Sequence, residues 1–537
     1  MKCSSILNDV LGPIMTGPSS SHTAAPGRIG LAVGQLWGKK VHRARVIYDS
    51  AGSYPNTHIG QGSDFGFAGG LLGYHIDDPR FGDSISLAKQ TDTNISFEIG
   101  ILGFHHPNEA QIDVYDDENP TVSMSVLSHS TGGGTFLLME MDGFEIEFDG
   151  GRKKYYIACG SEACEKSISK DLKQAGAQFV IRQSRNTRTT YVSVPSHEAI
   201  LFEVEAASLE NDMLPPGILE NSHVLYFRTA DAIVPAPLRL NPHVPFESSH
   251  GALQYAAEHK IDSIARLAVE YECSLSFLNR DDAYEKMRHV LRVMRLSMQP
   301  PPENSPSHNL LMPQYANHFK NINKLPIDMG AANGCMTSAV AVMENSCAHQ
   351  VIVAAPTAGS SGVIPAAIVA VGETLGCSDN QILDALWASG LVGGFISNQA
   401  TFGAELAGCQ AEIGSAACMA AAGLVELLNG TIDQSFHAAC IAMQSFLGLI
   451  CDPVGGLTEF PCIERNVTAA TVSIMAANMA LCGMKSLIPL DETIQAMLAV
   501  GESLPSELRC TCKGGLCGTP TGIKLSKLVS DKQKQNN

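Results

Sequence analysis

Residues 351–371 read VIVAAPTAGSSGVIPAAIVAV and residues 403–422 read GAELAGCQAEIGSAACMAAA. Both lie in a stretch, 325 to 464, that contains no Lys or Arg yet holds about a dozen carboxylates. The first segment is uncharged and long enough to cross a bilayer. It is, however, broken by Pro356 and Pro365 and by a Thr-Ala-Gly-Ser-Ser-Gly turn, and its flanks lack the basic residues that orient a span. The pattern therefore predicts a buried helical core of closely packed Ala, Gly and Met, with a transporter-like membrane domain as the rival.

The rest of the chain supports the buried core. At roughly 150 residues per domain, 537 residues suggest three or four domains. Apolar residues make up 45% and charged residues only 17%, which excludes a disordered chain. A net charge of -18 gives no electrostatic footprint for nucleic acid. The start, MKCSSILNDVLGPIMTGPSSSH, lacks the basic and continuous apolar regions of a secretory signal, so a cytoplasmic location is expected. The 16 cysteines are then expected to be reduced or to ligate metal.

Before the cation-free stretch the texture differs. Residues 1–150 mix strand-like runs (41–48, 95–101, 110–115) with turns and predict an α+β domain. Residues 151–240 carry KKYYIACG, a helix-like SEACEKSISKDLKQAGA, then QFVIRQS and TTYVSV, an order that suits a small ferredoxin-like domain. Residues 241–537 read as a large all-α domain, with helices over 250–272 and 283–298. The whole is an α+β multidomain protein.

Several clusters can carry chemistry. Cys451 in CDPVGG and Cys462 in FPCIERN border Gly/Pro turns, where a thiolate can face a metal, and Cys409 sits in GAELAGCQAEIGS. A free cysteine is ordinarily a small buried hydrophobe, and Cys335, Cys347, Cys377, Cys418, Cys440 and Cys482 keep that reading. In GPSSSHTAAPGRIG (17–30), Ser19, Ser20, Ser21, His22 and Thr23 precede a helix-like segment, as a carboxylate or phosphate cradle or simply as a polar cap. GQGSD supplies Gln61 and Asp64, with His58 just before, and HHPN supplies His106 and Asn108, the imidazole being able to exchange protons near neutral pH.

These strings resemble the iron–sulfur-dependent L-serine dehydratases (L-serine ammonia-lyases), with β and α portions fused in that order. The resemblance spans nearly the whole chain and rests on GPSSSHTAAPGRIG, GGLLG, HPN, GGG, APTAGSSGVIPA (355–366), GAELAGCQAEIGSAACMAAA, CDPVGGLTEFPCIERN (451–466) and GGLCGTPTG (514–522). It implies a [4Fe-4S] cluster on Cys409, Cys451 and Cys462, with one iron open as a Lewis acid. It further implies deamination of L-serine to pyruvate and ammonia without pyridoxal phosphate, an amino-acid degradation that feeds gluconeogenesis. The enzyme would be an oxygen-sensitive cytoplasmic homodimer that binds a small amino acid and neither membrane nor nucleic acid. His106, His22 and His58 are the candidate proton carriers, and Ser19, Ser20, Ser21, Thr23, Gln61, Asp64 and Asn108 the candidate substrate-binding residues.

The chain departs from the family pattern in places. GQGSD stands where relatives carry GHGTD, so Gln61, an amide unable to take up a proton, replaces the expected base histidine. The SGLTGG motif is missing, Ser361 replaces a common Cys, and residues 153–235 lack the Asp-x-Pro-Gly signature of the ACT-like regulatory domain at that position. Some relatives end in a cysteine that folds back on the cluster; this chain ends KQKQNN, with Cys510, Cys512 and Cys517 as nearby alternatives. The rival functions are a same-fold lyase for threonine, cysteine or a 3-hydroxy acid, and a non-catalytic cluster-bearing amino-acid sensor.

Overall fold

The computed structural model describes residues 3–103, 105–116, 123–183, 199–219, 221–301, 311–322 and 325–536. Its first strand, β1 (Ile14–Thr16), is short. A six-stranded sheet then forms from β2 (Arg43–Asp49), β3 (Asn94–Gly100), β4 (Glu109–Tyr115), β5 (Ser123–Gly132), β6 (Thr135–Met141) and β7 (Phe144–Phe148) in the order β3-β2-β4-β5-β6-β7. Only the β2–β3 pair is parallel. Alternating residues of β2 (Ala44, Val46, Tyr48) and β4 (Ala110, Ile112, Val114) face helix Ala25–Trp37, which lays Ile29, Val33 and Leu36 on the sheet. That amphipathic match is what turns the strand-like runs into a covered sheet.

The middle of the chain forms β8 (Lys154–Cys159), helix Glu162–Gln174, β9 (Phe179–Gln183), β10 (Ile200–Glu205), a short helix at Pro216–Leu219 and β11 (Val224–Ala230). The antiparallel order β11-β8-β10-β9 is that of a ferredoxin-like sheet, as expected. The expected strand TTYVSV lies outside the described residues. Ser161 caps the helix by accepting from Cys164 N, and Cys164, Ile168 and Leu172 bury its apolar face.

The remainder is helical. Within the expected 250–272 helix the chain breaks: Ser249–His259 ends at Lys260 with φ +55, and Ser263 then caps Ile264–Leu275. A serine that accepts from the Arg266 amide competes with helix continuation, which the periodicity alone does not reveal. The core helix Asp379–Gln399, capped by Ser378 and Gln381, is buried over most of its length and packs on Ser415–Leu427. Small residues make this possible: a Cβ on Gly423 would lie 2.6 Å from the Ala385 carbonyl oxygen. Residues 351–371 form β12 (Val351–Val353), turns and the helical segments from Pro365, and no helix among the described residues is long and apolar enough to cross a membrane.

The two halves are threaded together. β1 pairs antiparallel with β12, and Ile6, Leu7, Val10 and Leu11 are buried in the helical core. Glu272 of the helical half accepts from Ser5 Oγ at 2.6 Å and from Ile6 N at 2.7 Å.

Candidate active site

The loop 17–24 lies against the helical half. Ser19 accepts from the His22 amide at 3.1 Å and so starts the turn that leads into helix Ala25–Trp37. Ser20 Oγ accepts from Ala358 N at 3.3 Å, inside the APTAGSSG stretch, while the Ser21 carbonyl receives Ser130 Oγ at 2.8 Å. Thr23 Oγ1 donates to the Gln61 carbonyl at 2.7 Å and ties this loop to GQGSD. Thus Ser19, Ser20 and Thr23 shape the loop in this state.

The candidate histidines have different surroundings. His22 is fully buried, with Nδ1 2.8 Å from Ser21 Oγ and Nε2 3.2 Å from Ser53 Oγ. Burial, reinforced by the nearby His58, pushes its pKa down to about 3, so the ring is neutral. His58 Nδ1 lies 2.8 Å from Asp64 Oδ1, which also accepts from the Tyr48 hydroxyl at 2.8 Å. His106 stacks on His129 at 5.0 Å, and burial followed by repulsion from His129 lowers its pKa to about 4. Its Nδ1 accepts from Asn108 N at 3.1 Å and so fixes the turn that aims Asn108.

Thiols converge from the helical half. Cys409 follows Gly408, whose φ of +74 turns the chain, while Cys451 is bracketed by Leu508 and Cys510: Cys451 N donates to Leu508 O at 2.9 Å and Cys510 N to Cys451 O at 3.0 Å. Cys462 begins helix Cys462–Leu481, at its positive end. The ligand atoms of Cys409, Glu412 and Cys451 lie within 4.8 Å of one another, and the Cys510 thiol also neighbours that of Cys451. These contacts, then burial, raise the Cys451 pKa well above that of an ordinary thiol. Burial, with Cys409 and Glu412 as charged neighbours, does the same to Cys462. Arg465 approaches Cys409 and Cys462 while its Nη2 pairs with Asp452 Oδ1 at 2.9 Å.

The donor set fits a thiolate-bound metal centre. All described cysteines are free, and Cys409, Cys451, Cys462 and Cys510 are buried together beside a carboxylate. Soft sulfur donors in a water-poor interior suit iron–sulfur or other thiophilic metals. Metal binding would displace the thiol protons that burial otherwise retains.

The N-terminal half closes over these thiols. Gln61 Nε2 lies 3.8 Å from Cys510 Sγ, Ser53 Oγ donates to the Cys510 carbonyl at 3.3 Å, and Asn108 Nδ2 donates to Glu405 Oε1 at 2.8 Å. The structure therefore brings His22, Gln61 and Asn108 to the thiol side, whereas His58 and Asp64 bind each other and Tyr48. Glu405, Glu412, Ser53 and Tyr54 escaped the sequence reading. The two glutamates flank Cys409 in a stretch without cations, which was the available signal. Burial pushes the pKa of each up to about 7.

The chain is similar in sequence to known proteins. The family described as serine dehydratase alpha chain matches residues 202–517. The probable L-serine dehydratase alpha chain of Bacillus subtilis is 38% identical over 273 residues, covering 50% of this chain and 89% of that protein. The L-serine dehydratase of Streptomyces coelicolor is 27% identical over 518 residues, 93% of this chain and 96% of that protein. L-serine dehydratase 1 of Escherichia coli is 34% identical over 281 residues, 51% and 61% of the two chains.

Proposed function

The chain belongs to the serine dehydratase alpha chain family, and from that premise we propose that it is a carbon–nitrogen lyase that dehydrates L-serine at a thiol-bound [4Fe-4S] cluster. The observation that carries this reading is the convergence of Cys409, Cys451 and Cys462, with Cys510 beside them, under the Gln61 and Asn108 side of the N-terminal half. Elimination takes the Cα proton and the β-hydroxyl as water. The 2-aminoacrylate left behind tautomerises to the imine and hydrolyses to pyruvate and ammonia.

Cys409, Cys451 and Cys462 would hold the cluster, with Cys510 and Glu412 beside it. When bound, the cluster supplies a Lewis-acidic iron that makes hydroxide a tolerable leaving group. The protein supplies the rest. His22, neutral and held between Ser21 and Ser53, is the imidazole linked through Ser53 to the Cys510 segment, and we assign it the Cα proton. His106 positions Asn108, and Ser20 joins the serine loop to the turn at Ala358. Burial of the junction excludes the water that would compete for the metal and the carboxylates.

The domain reading, 1–150 for substrate, 151–240 as an ACT-like unit and 241–537 for the cluster, is part of this proposal. So are a homodimer and a cytoplasmic site of action on a small amino acid. The net charge of -18 supports independence from nucleic acid. The test is pyruvate formation from L-serine by protein purified under nitrogen, before and after exposure to air. Turnover that air destroys is expected. A protein loaded with iron and sulfide that makes no pyruvate rejects L-serine as the substrate.

A further inference from the structure

Glu405 stands in the short helix Ala404–Ala407 and is 6% exposed. No cation among the described residues contributes to its environment; its partners are its own backbone and the Asn108 amide. A buried carboxylate without a counter-charge is costly. Two further polar atoms beside it lack partners. Asn108 Oδ1 is buried and unbonded, although Asn108 Nδ2 already donates to Glu405 Oε1. The Tyr54 hydroxyl, beside Ser130 and close enough to Glu405 to feel its charge, is also buried without a hydrogen-bond partner of good geometry.

These groups share one property: each can accept a hydrogen bond, and the only ionisable group of ordinary acidity among them is a carboxyl, which a neighbouring cation would hold as carboxylate. An ammonium group offers three donors and one positive charge. Glu405 also neighbours Glu412, whose carboxylate groups with Cys409 and Cys451. A ligand held at Glu405 therefore lies next to the thiol site, on the side closed by Asn108 and Tyr54.

We propose that Glu405, with Asn108 Oδ1 and the Tyr54 hydroxyl, seats the α-ammonium group of the substrate and thereby selects amino acids over acids that carry no amine. The assignment rests on the dehydratase reading for the identity of the substrate, but the binding preference itself does not require turnover. The ammonium neutralises Glu405 and gives the orphaned acceptors their donors. An acid without the amine enters with Glu405 still unpaired, which is the basis of discrimination.

The test compares L-alanine with propionate, which differ by the amine and cannot lose a β-hydroxyl. Binding is measured by calorimetry under nitrogen on the purified protein with its native metal content. The wild type is expected to bind L-alanine about a hundredfold more tightly than propionate. Glu405→Gln, nearly isosteric, should reduce that preference below about tenfold while retaining its iron. Tyr54→Phe should weaken L-alanine alone by about fivefold. Equal weakening of both ligands in Glu405→Gln, an unchanged preference, or loss of iron together with the preference would overturn the assignment. If L-serine is not turned over but the preference exists and depends on Glu405, the dehydratase reading fails and the ammonium seat stands.

Discussion

The Gln61 side-chain amide points at the Cys510 thiol, 3.8 Å away and 449 residues later in the chain. The residue that replaces the family's expected histidine is thus a donor to sulfur. An amide cannot accept the Cα proton, but it can hold the Cys510 thiol in place beside the ligand cysteines.

Gln61→Leu keeps the volume and removes that donor. We expect it to lower metal retention by about tenfold to a hundredfold, the usual effect of losing an outer-shell partner. Iron remaining after a timed chelator challenge checks this. Cys451→Ser, by contrast, should abolish both the brown absorbance and turnover, and a variant that keeps both removes Cys451 from the ligand set.

His22→Gln should lower kcat on L-serine by about a hundredfold or more with iron content unchanged, as expected for loss of a proton acceptor. His106→Ala acts through Asn108 and should lower kcat/KM by about tenfold, with iron content again unchanged. Steady-state kinetics with parallel iron assays separate the two roles. Full turnover in His22→Gln would return the proton transfer to His58 or His106.

Glu272 ties the N-terminal segment to the helical half, and burial raises its pKa from 4.5 to about 7. The folded protein therefore retains a proton that the unfolded chain releases between these values. Its contribution to stability is greatest below pH 4.5, declines as pH rises to about 7 and is constant above. The decline amounts to about 3 kcal/mol. Urea denaturation of the metal-free protein at pH 5 and pH 8 should show a smaller loss of stability in Glu272→Gln than in the wild type.

Gly423 meets the Ala385 carbonyl at the crossing of two core helices. Gly423→Ala inserts a methyl where backbone cannot yield, and a loss of about 1–3 kcal/mol is expected in equilibrium unfolding. Stability equal to wild type would mean that the helices can slide apart at this crossing.

Regular patterns along the chain were readable. The alternation in β2 and β4 marks the sheet, the β-α-β-β order marks the ferredoxin-like unit, and the cation-free Ala/Gly/Met stretch marks the buried helices. Cys451 and Cys462 stand out beside Gly/Pro turns, and Cys409 joins them through the family resemblance carried by its string. The Asn108–Glu405 contact is not readable, because 297 residues separate its members and nothing in either local string pairs it with the other. Cys510 belongs to the same class: it reaches Cys451 through a bridge between Cys451 and Arg509 that no periodicity announces. The break after His259 was missed because the apolar rhythm continues across it while Lys260 turns left-handed.

The embedding of Ile6, Leu7, Val10 and Leu11 in the helical half, with β1 against β12, has a consequence for assembly. The alpha chain of Bacillus subtilis matches only half of this chain, and any site built from two separate polypeptides falls apart on dilution. Here the covalent tether makes closure of the Asn108–Glu405 junction an intramolecular event, independent of how much protein is present. The same hook makes a severed N-terminal fragment sticky, since its apolar residues then face water. Two fragments cut between the halves should rejoin when mixed, and the amount regained should depend on concentration in a way the intact chain does not.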